Sequence, residues 1–402
     1  MKNVPKLRFK AFSGEWQIKK VGSICDSIVP GRNKPIMFDG DIPWVTTPDI
    51  EQSGSVFFSK KSLNITRAEA KKIGSKIVPK HSVIISCVGD LGLVAIAGVD
   101  LVINQQLHAF IASDTIYYKF LLYSLLMQKP YMEKVATKTA VPYMNKENCN
   151  SIPICHPEII EQTKIADFLT AIDDRISQLA QKCELLEQYK KGVMQKIFSQ
   201  ELRFKDEEGR TFPAWEEKRL GDIATRVKRK NTEDNKNVLT ISAQQGLINQ
   251  EEFFNKSVSA KDVTNYYLLH KGEFAYNKSY SNGYPMGAIK CLNRYEKGVV
   301  STLYICFKLK NNNVNSFFEY YFESGKHNTE IEKVAQEGAR NHGLLNIGVD
   351  DFFSILLSIP SKPEQEKIAG FLSAVDEKIS QAQAQLEAAK RYKQGLLQQM
   401  FV

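Results

Sequence analysis

Glu161–Gln178 reads EQTKIADFLTAIDDRISQ, and Glu364–Gln381 reads EQEKIAGFLSAVDEKISQ, at a constant offset of 203. Carried on without gaps to Phe198 and Phe401, the alignment has 18 identities in 38 positions, and exchanges such as Ile172/Val375 and Arg175/Lys378 are conservative. Chance does not produce such a match, so the chain is internally duplicated. A fainter repeat opens each half. Leu7-Arg8-Phe9 recurs as Leu202-Arg203-Phe204, and Trp16 with Gly22 recurs as Trp215 with Gly221. The organisation that follows is a head at 1–160, a tail at 161–200, a second head at 201–363 and a second tail at 364–402.

The tails read as long helices. Ile176, Leu179, Cys183, Leu186, Val193 and Ile197 keep a three–four alternation, and Ile379, Ala382, Leu386, Ala389, Leu396 and Met400 keep it in the second copy. That is a heptad seam. Neither tail contains a helix-breaking proline; Pro157 and Pro363 stand where a helix start tolerates one. A helix of this length is about 57 Å long. Its apolar seam needs cover, and the other tail is the simplest cover. Lys190 and Lys393 interrupt the seam at matching places. A lysine there either fixes register at some cost in stability or snorkels from the seam's edge.

The heads have another texture. Residues 83–87, 93–97, 274–276 and 299–307 are β-branched and aromatic runs that read as strands, while 115–128 and 316–323 read as helices. The fold class expected is therefore α+β: two mixed α/β heads in tandem, each followed by a long helix. Beyond their edges the heads barely resemble each other. Similar frames with unlike interiors imply two modules doing one kind of work on different targets.

The chain has 402 residues, too many for one ordinary core, and no stretch approaches the roughly 18 apolar residues of a membrane span. The N-terminus lacks the apolar segment of a signal peptide. Seven scattered cysteines without a Cys-x-x-Cys pair fit neither a disulfide framework nor a zinc site, and point to a reducing cytoplasm. The net charge of +9 is concentrated in the heads. Residues 1–160 hold 20 Lys/Arg against 13 Asp/Glu and residues 199–363 hold 23 against 21, whereas both tails are neutral. A polyanionic partner is the implication.

Catalytic signatures are missing. There is no glycine-rich dinucleotide or nucleotide cradle, and no Pro-Pro dipeptide of the kind amino-methyltransferases use to grip a flipped base. Histidines 81, 108, 156, 270, 327 and 342 lack metal-ligand spacing. Pro48-Asp49 followed by Glu69-Ala70-Lys71 loosely matches a nuclease string. Thr66-Arg67-Ala68-Glu69 is also a capping box, the favoured reading, with Ser259-Ala260-Lys261-Asp262 as its counterpart. No catalytic or metal-ligating residue is assigned.

Several loops mix basic, amide and hydroxyl side chains, the types that hold phosphates and read base edges. In the first head they are Arg32, Asn33 and Lys34, and Thr137, Lys138 and Thr139. In the second they are Arg226 with Lys228, Arg229 and Lys230; Asn277, Lys278, Ser279, Tyr280, Asn282 and Tyr284; and Arg340, Asn341 and His342. Singly, each is an ordinary solvated loop; together, on a basic chain, they favour nucleic acid. Asn104-Gln105-Gln106 reads as a buried polar network rather than a base reader.

The duplicated Glu-Gln-x-Lys-Ile-Ala at 161–166 and 364–369, each preceded by Ile-Pro at 152–153 and 359–360, and the Trp…Gly openings resemble the specificity subunits of type I restriction–modification systems. The resemblance spans essentially the whole chain. It implies two target-recognition domains, each similar in fold to the recognition domain of adenine methyltransferases and each reading one half of an asymmetric site in double-stranded DNA. It implies an antiparallel coiled coil of the two tails that holds them apart. It further implies two modification (methyltransferase) subunits using S-adenosylmethionine, two restriction subunits using ATP and Mg2+, and a cytoplasmic, bacterial, nucleoid-associated complex in which this chain is non-catalytic. From the residues alone, a self-contained DNA methyltransferase or nuclease, a coiled-coil structural protein and an RNA binder stay open as alternatives.

Overall fold

The computed structural model describes residues 3–242, 245–254, 263–280, 283–335 and 345–402. It divides into two compact units, Met1–Gln181 with Gln383–Val402, and Lys182–Ala382. The tails are single helices, Ile159–Phe198 and Lys362–Met400. Each contributes its first half to one unit and its second half to the other.

In the first unit the main sheet has the strand order Cys25–Ile28, Leu107–Ala112, Val83–Ser86, Val94–Ala97, Ser55–Val56. All neighbours are antiparallel except the last pair. Strands Val83–Ser86 and Val94–Ala97 are buried at every position, which is why their sequence reads as continuous apolar runs rather than an alternation. Helix Tyr118–Leu126 packs on this sheet and buries Phe120, Leu121, Leu122, Tyr123 and Leu125. A smaller sheet is formed by Asn64–Ile65, Ile42–Val45 and Val102–Ile103.

The second unit repeats the core of this plan. Its four-stranded sheet runs Ala224–Arg226, Ile305–Leu309, Phe274–Asn277, Ala288–Cys291, with helix Asn315–Glu323 in the place of Tyr118–Leu126. The run 299–307 does not form one strand. Lys297–Val300 pairs with Tyr267–His270, and Ile305–Leu309 pairs in the four-stranded sheet. Ser301–Tyr304 turn between them without glycine, proline or asparagine to mark the break.

The tail repeat is explained by what its side chains hold. Glu161 takes both guanidinium arms of Arg8 at 2.7 Å, and Glu364 takes those of Arg203 at 2.7 and 2.8 Å. The hydrogen bond to Glu161 raises the pKa of Arg8 against the opposing effect of burial. Gln162 accepts the Tyr117 amide and donates to the carbonyls of Thr115 and Pro157. Gln365 likewise accepts the Val314 amide and donates to Pro360. Glu-Gln therefore locks the first turn of each tail to the opening of its own head and to the loop before the head's helix. Ile152-Pro153 and Ile359-Pro360 border strands that pair with Gln17–Lys20 and Glu216–Arg219, just after each tryptophan.

Both seam lysines are pinned. In the first unit Lys393 pairs with Asp173, donates to Ser53 Oγ at 3.2 Å and lies 5.5 Å over the Tyr123 ring, while the Tyr123 hydroxyl donates to Asp173 at 2.7 Å. In the second unit Lys190 pairs with Asp376 at 2.9 Å and Glu323 at 3.4 Å, 5.2 Å over the Tyr320 ring, and the Tyr320 hydroxyl donates to Asp376 at 2.7 Å. The start of one tail thus meets the end of the other in both units, the antiparallel arrangement. Burial alone would lower the Lys190 pKa, but Glu323 and Asp376 outweigh it and leave it raised. Of the two readings, register fixing fits these ion pairs better than snorkelling.

Among the seam residues, Leu179, Cys183, Ile197, Ile379, Ala382, Leu396 and Met400 are buried, and Ile176, Leu186, Val193, Leu386 and Ala389 are half-buried. The seam's ends do not stop at the other tail. Val193, Ile197 and Phe198 join the aromatic core around Phe317 and Tyr321, and Leu396 and Met400 join the core around Phe120.

Candidate nucleic-acid interface

The string resembling a nuclease motif is built into two short helical segments, Pro48-Asp49 in the 3-10 turn Thr47–Asp49 and Glu69-Ala70-Lys71 in the helix Arg67–Lys72. Asp49 accepts the Thr46 amide and hydroxyl at 2.7 and 2.8 Å and the Lys60 amide at 2.7 Å. Glu69 accepts the Ile36 amide at 2.8 Å, and Thr66 caps the helix Arg67–Lys72 by accepting the Glu69 amide. Both carboxylates are buried and occupied by backbone donors, but Glu69 turns to the Ile36 amide and Lys72 instead of back to the Thr66 amide, so only the Thr66 half of the expected capping box forms. The counterpart at Ser259–Asp262 lies outside the described residues.

The basic loops differ in how much of their chemistry is free. Arg32, Asn33 and Lys34 are exposed. The Asn104–Gln106 cluster is hydrogen-bonded as expected but not buried throughout, with Asn104 buried, Gln105 half-buried and Gln106 exposed, and part of it supports that loop. Asn104 and Gln106 bond to each other, while Gln105 Nε2 donates to the carbonyls of Gly31 and Asn33 at 2.8 and 3.1 Å. Thr137, Lys138 and Thr139 are exposed, but the two threonine hydroxyls brace their own loop through each other, the Tyr143 amide and the Val141 carbonyl.

In the second unit Arg229 stays at the surface, its side chain 39% exposed, but its charge is already engaged. Its guanidinium makes two 3.1 Å bonds to Glu273, only 3% exposed, and one to the Leu268 carbonyl. Lys230 donates to the Asn265 carbonyl at 2.7 Å and lies 4.6 Å over the Tyr267 ring. Arg226 is half-buried on its strand and Lys228 is exposed. Asn277 accepts the Ser279 amide, the Lys278 carbonyl accepts the Leu345 amide, and Tyr284 accepts from Lys290 at 3.1 Å. Tyr280 projects, 65% exposed. Asn282, Arg340, Asn341 and His342 lie outside the described residues. The sequence missed the structural use of Arg229 because Glu273 stands 44 residues away, with no local signal linking them.

Two heads of one plan, each clamped to a tail by the same Arg–Glu pair, give the geometry against which known proteins are compared. A family profile described as the type I restriction modification DNA specificity domain matches residues 13–188 and again 214–391. The chain belongs to that family. It is 28% identical over 222 residues to the type I restriction enzyme MjaIX specificity subunit of Methanocaldococcus jannaschii, covering 52% of this chain and 51% of that protein. It is 26% identical over 152 residues to the type I restriction enzyme HindI specificity subunit of Haemophilus influenzae, covering 37% and 32%. The matches thus span about half or less of these relatives' length. Among solved structures, the S subunit of a type I restriction–modification system from M. genitalium superposes with a TM-score of 0.58 at 17% identity over 99% of both chains. The HsdS subunit of Thermoanaerobacter tengcongensis gives 0.50 at 14% over 96% of both. At these identities the likeness is one of fold. Members of this family are specificity chains with DNA-recognition domains, and here the domain occurs twice.

Proposed function

We propose that this chain is the sequence-reading subunit of a type I restriction–modification complex. It reads a bipartite, asymmetric site in double-stranded DNA, one half with each unit. It scaffolds two modification subunits, which bring S-adenosylmethionine, and two restriction subunits, which bring ATP and Mg2+. It contributes no catalytic group of its own. The complex works in the bacterial cytoplasm at the nucleoid. The observation that carries this reading is the family domain matched twice, on two heads with the same sheet order but unlike loops. Arg32, Asn33, Lys34, Lys138, Lys228 and Tyr280 are the exposed side chains proposed to meet DNA. All seven cysteines are free and buried, in keeping with a reducing compartment, and no helix among the described residues is long and apolar enough to cross a membrane.

The test is genome-wide mapping of methylated adenines in a host with and without this gene. A bipartite motif with a fixed unread spacer is expected to vanish with the gene. An unchanged map contradicts the reading. Transfer of label from S-adenosylmethionine to DNA by the purified chain alone would contradict its non-catalytic part.

A further inference from the structure

The loop 31–38, GRNKPIMF, turns apolar side chains outward. Ile36 is 77% and Met37 53% exposed, directly after the exposed Arg32, Asn33 and Lys34. Scattered apolar residues on a surface need no explanation, but two adjacent ones on a braced loop do. The bracing comes from four sides. The Gly31 amide donates to Ser75 Oγ at 2.9 Å, Gln105 holds the carbonyls of Gly31 and Asn33, and the Ile36 amide donates to Glu69. Phe38 leans on Trp44 with ring centroids 5.7 Å apart. Gly31 crosses the end of the helix Arg67–Lys72 so closely that a Cβ there would lie 2.3 Å from the Ile73 carbonyl oxygen. The Glu69 pKa is lowered, first by the Ile36 amide, so the brace stays ionised.

Cations surround this tip. Arg67, Lys71 and Lys72 on that helix and Lys76 just beyond it are exposed. With Arg32 and Lys34 they make six positive side chains against Asp39, Asp41 and the buried Glu69. Lysine is depleted in the core of protein–protein interfaces, so this surround favours a polyanion over a protein face. A phosphate offers nothing to Ile36 or Met37, whereas base edges and thymine methyls do.

We propose that Ile36 and Met37 form an apolar reading tip that enters a groove of the duplex and contacts base edges, with Arg32 and Lys34 on the flanking phosphates. The inference rests on the DNA-reading role proposed above and adds to it a preformed element that reads bases. Because Glu69 and Gln105 hold the tip in place, little conformational entropy is lost when it docks. Glu69 acts as a positioning residue that touches no DNA.

The test uses the full chain assembled with its modification subunits. Its binding is measured by titration in a salt series on a duplex carrying the mapped site and on one with the first half-site scrambled. The pair Ile36→Ser and Met37→Ser is expected to cut affinity for the cognate duplex at least tenfold, leaving the scrambled duplex and the salt slope unchanged. The pair Arg32→Ala and Lys34→Ala is expected to weaken both duplexes and flatten the slope by about two. Glu69→Gln is expected to lower the cognate preference in the direction of the serine pair. An unchanged preference in the serine pair overturns the proposal. So does loss of assembly with the modification subunits while the assembled fraction keeps its preference, for the tip is then a protein contact. A wild-type complex with no preference between the two duplexes is instead a failure of the proposed function.

Discussion

In the first unit Arg32 and Lys34 stand free on a loop that Glu69 and Gln105 hold from behind; in the second, Arg229 is folded onto Glu273 and Lys230 onto Tyr267. Both stretches read alike as basic loops, and both hang from the same strand order. The difference is whether a buried carboxylate holds the backbone of the loop or its charge. Glu69 takes the Ile36 amide, pairs only with Lys72 of its own helix at 3.7 Å and leaves Arg32 and Lys34 to solvent, while Glu273, which also accepts the His270 amide, takes the loop cation Arg229 itself. A basic run is thus a candidate phosphate contact only where its charges are not already used by the fold.

The frame, by contrast, is nearly the same in both units, and its clamps give the largest expected effects. Replacing Glu364 by Ala strands Arg203, whose side chain is 20% exposed, and removes the acceptor of Trp215 Nε1 at 3.2 Å. Replacing Glu161 by Ala strands Arg8, but Trp16 Nε1 has no partner to lose. Arg8 keeps the carbonyls of Ser13 and Gly14, and Arg203 those of Phe212 and Pro213, so breaking either pair costs about 3 kcal/mol, the low end for a buried ion pair. Urea unfolding of the full chain should therefore place Glu364→Ala below Glu161→Ala, both well below the parent. Equal midpoints for the three proteins would mean that the repeated glutamates are not clamps.

Acid should weaken both units, each through a histidine buried in its neutral form. Burial, with a smaller contribution from the charge of Lys146, lowers the His108 pKa to about 4, and burial lowers that of His327 to about 3. An unfolded histidine titrates near 6.5. Between that value and the folded one, the unfolded chain binds the extra proton, so stability falls as pH drops below about 6.5. The loss levels off near pH 4 for His108 and near pH 3 for His327, at roughly 3 kcal/mol or more each. His327→Leu should flatten the decline in stability from pH 6 to 4, as read by chemical denaturation at each pH. A slope identical to the parent's would remove His327 from the account.

The seam lysines should show a smaller asymmetry. Lys190→Met leaves two carboxylates without their cation, Asp376 and Glu323, whereas Lys393→Met leaves only Asp173. These carboxylates are partly solvated, so about 1–2 kcal/mol is expected for Lys190 and about half that for Lys393. Because the Lys190 pKa is raised, its contribution is complete below the unfolded value near 10.4 and is lost only as pH rises above it. The difference should hold unchanged from pH 6 to 9, and a larger loss for Lys393→Met would reverse the comparison.

What the sequence discloses follows from how local each interaction is. The tails are legible because a seam repeats within a few residues and the duplication shows it twice. The lysines stand out as breaks in that seam, but their partners Tyr123 and Tyr320 come from helices 50 and 56 residues before the bonded aspartates. Glu161 and Glu364 are visible as repeated residues, yet their purpose is set by arginines 153 and 161 residues away. The common sheet order is hidden because the buried positions of these strands accept many apolar sequences, so the heads diverge without changing plan. The run 299–307 hides its break because its one turn-forming residue is Ser301, whose hydroxyl and carbonyl accept the Leu303 and Tyr304 amides, without the stronger mark of a glycine, proline or asparagine.

That two separable heads read DNA from one duplicated frame is tested most directly by exchange. Residues 1–160 are replaced by those of a relative, with Glu161 and its arginine partner kept, and methylated adenines are mapped in cells carrying the hybrid. The account predicts a motif in which one half-site changes while the other half-site stays as it was. A map in which both halves change, or neither does, would contradict it.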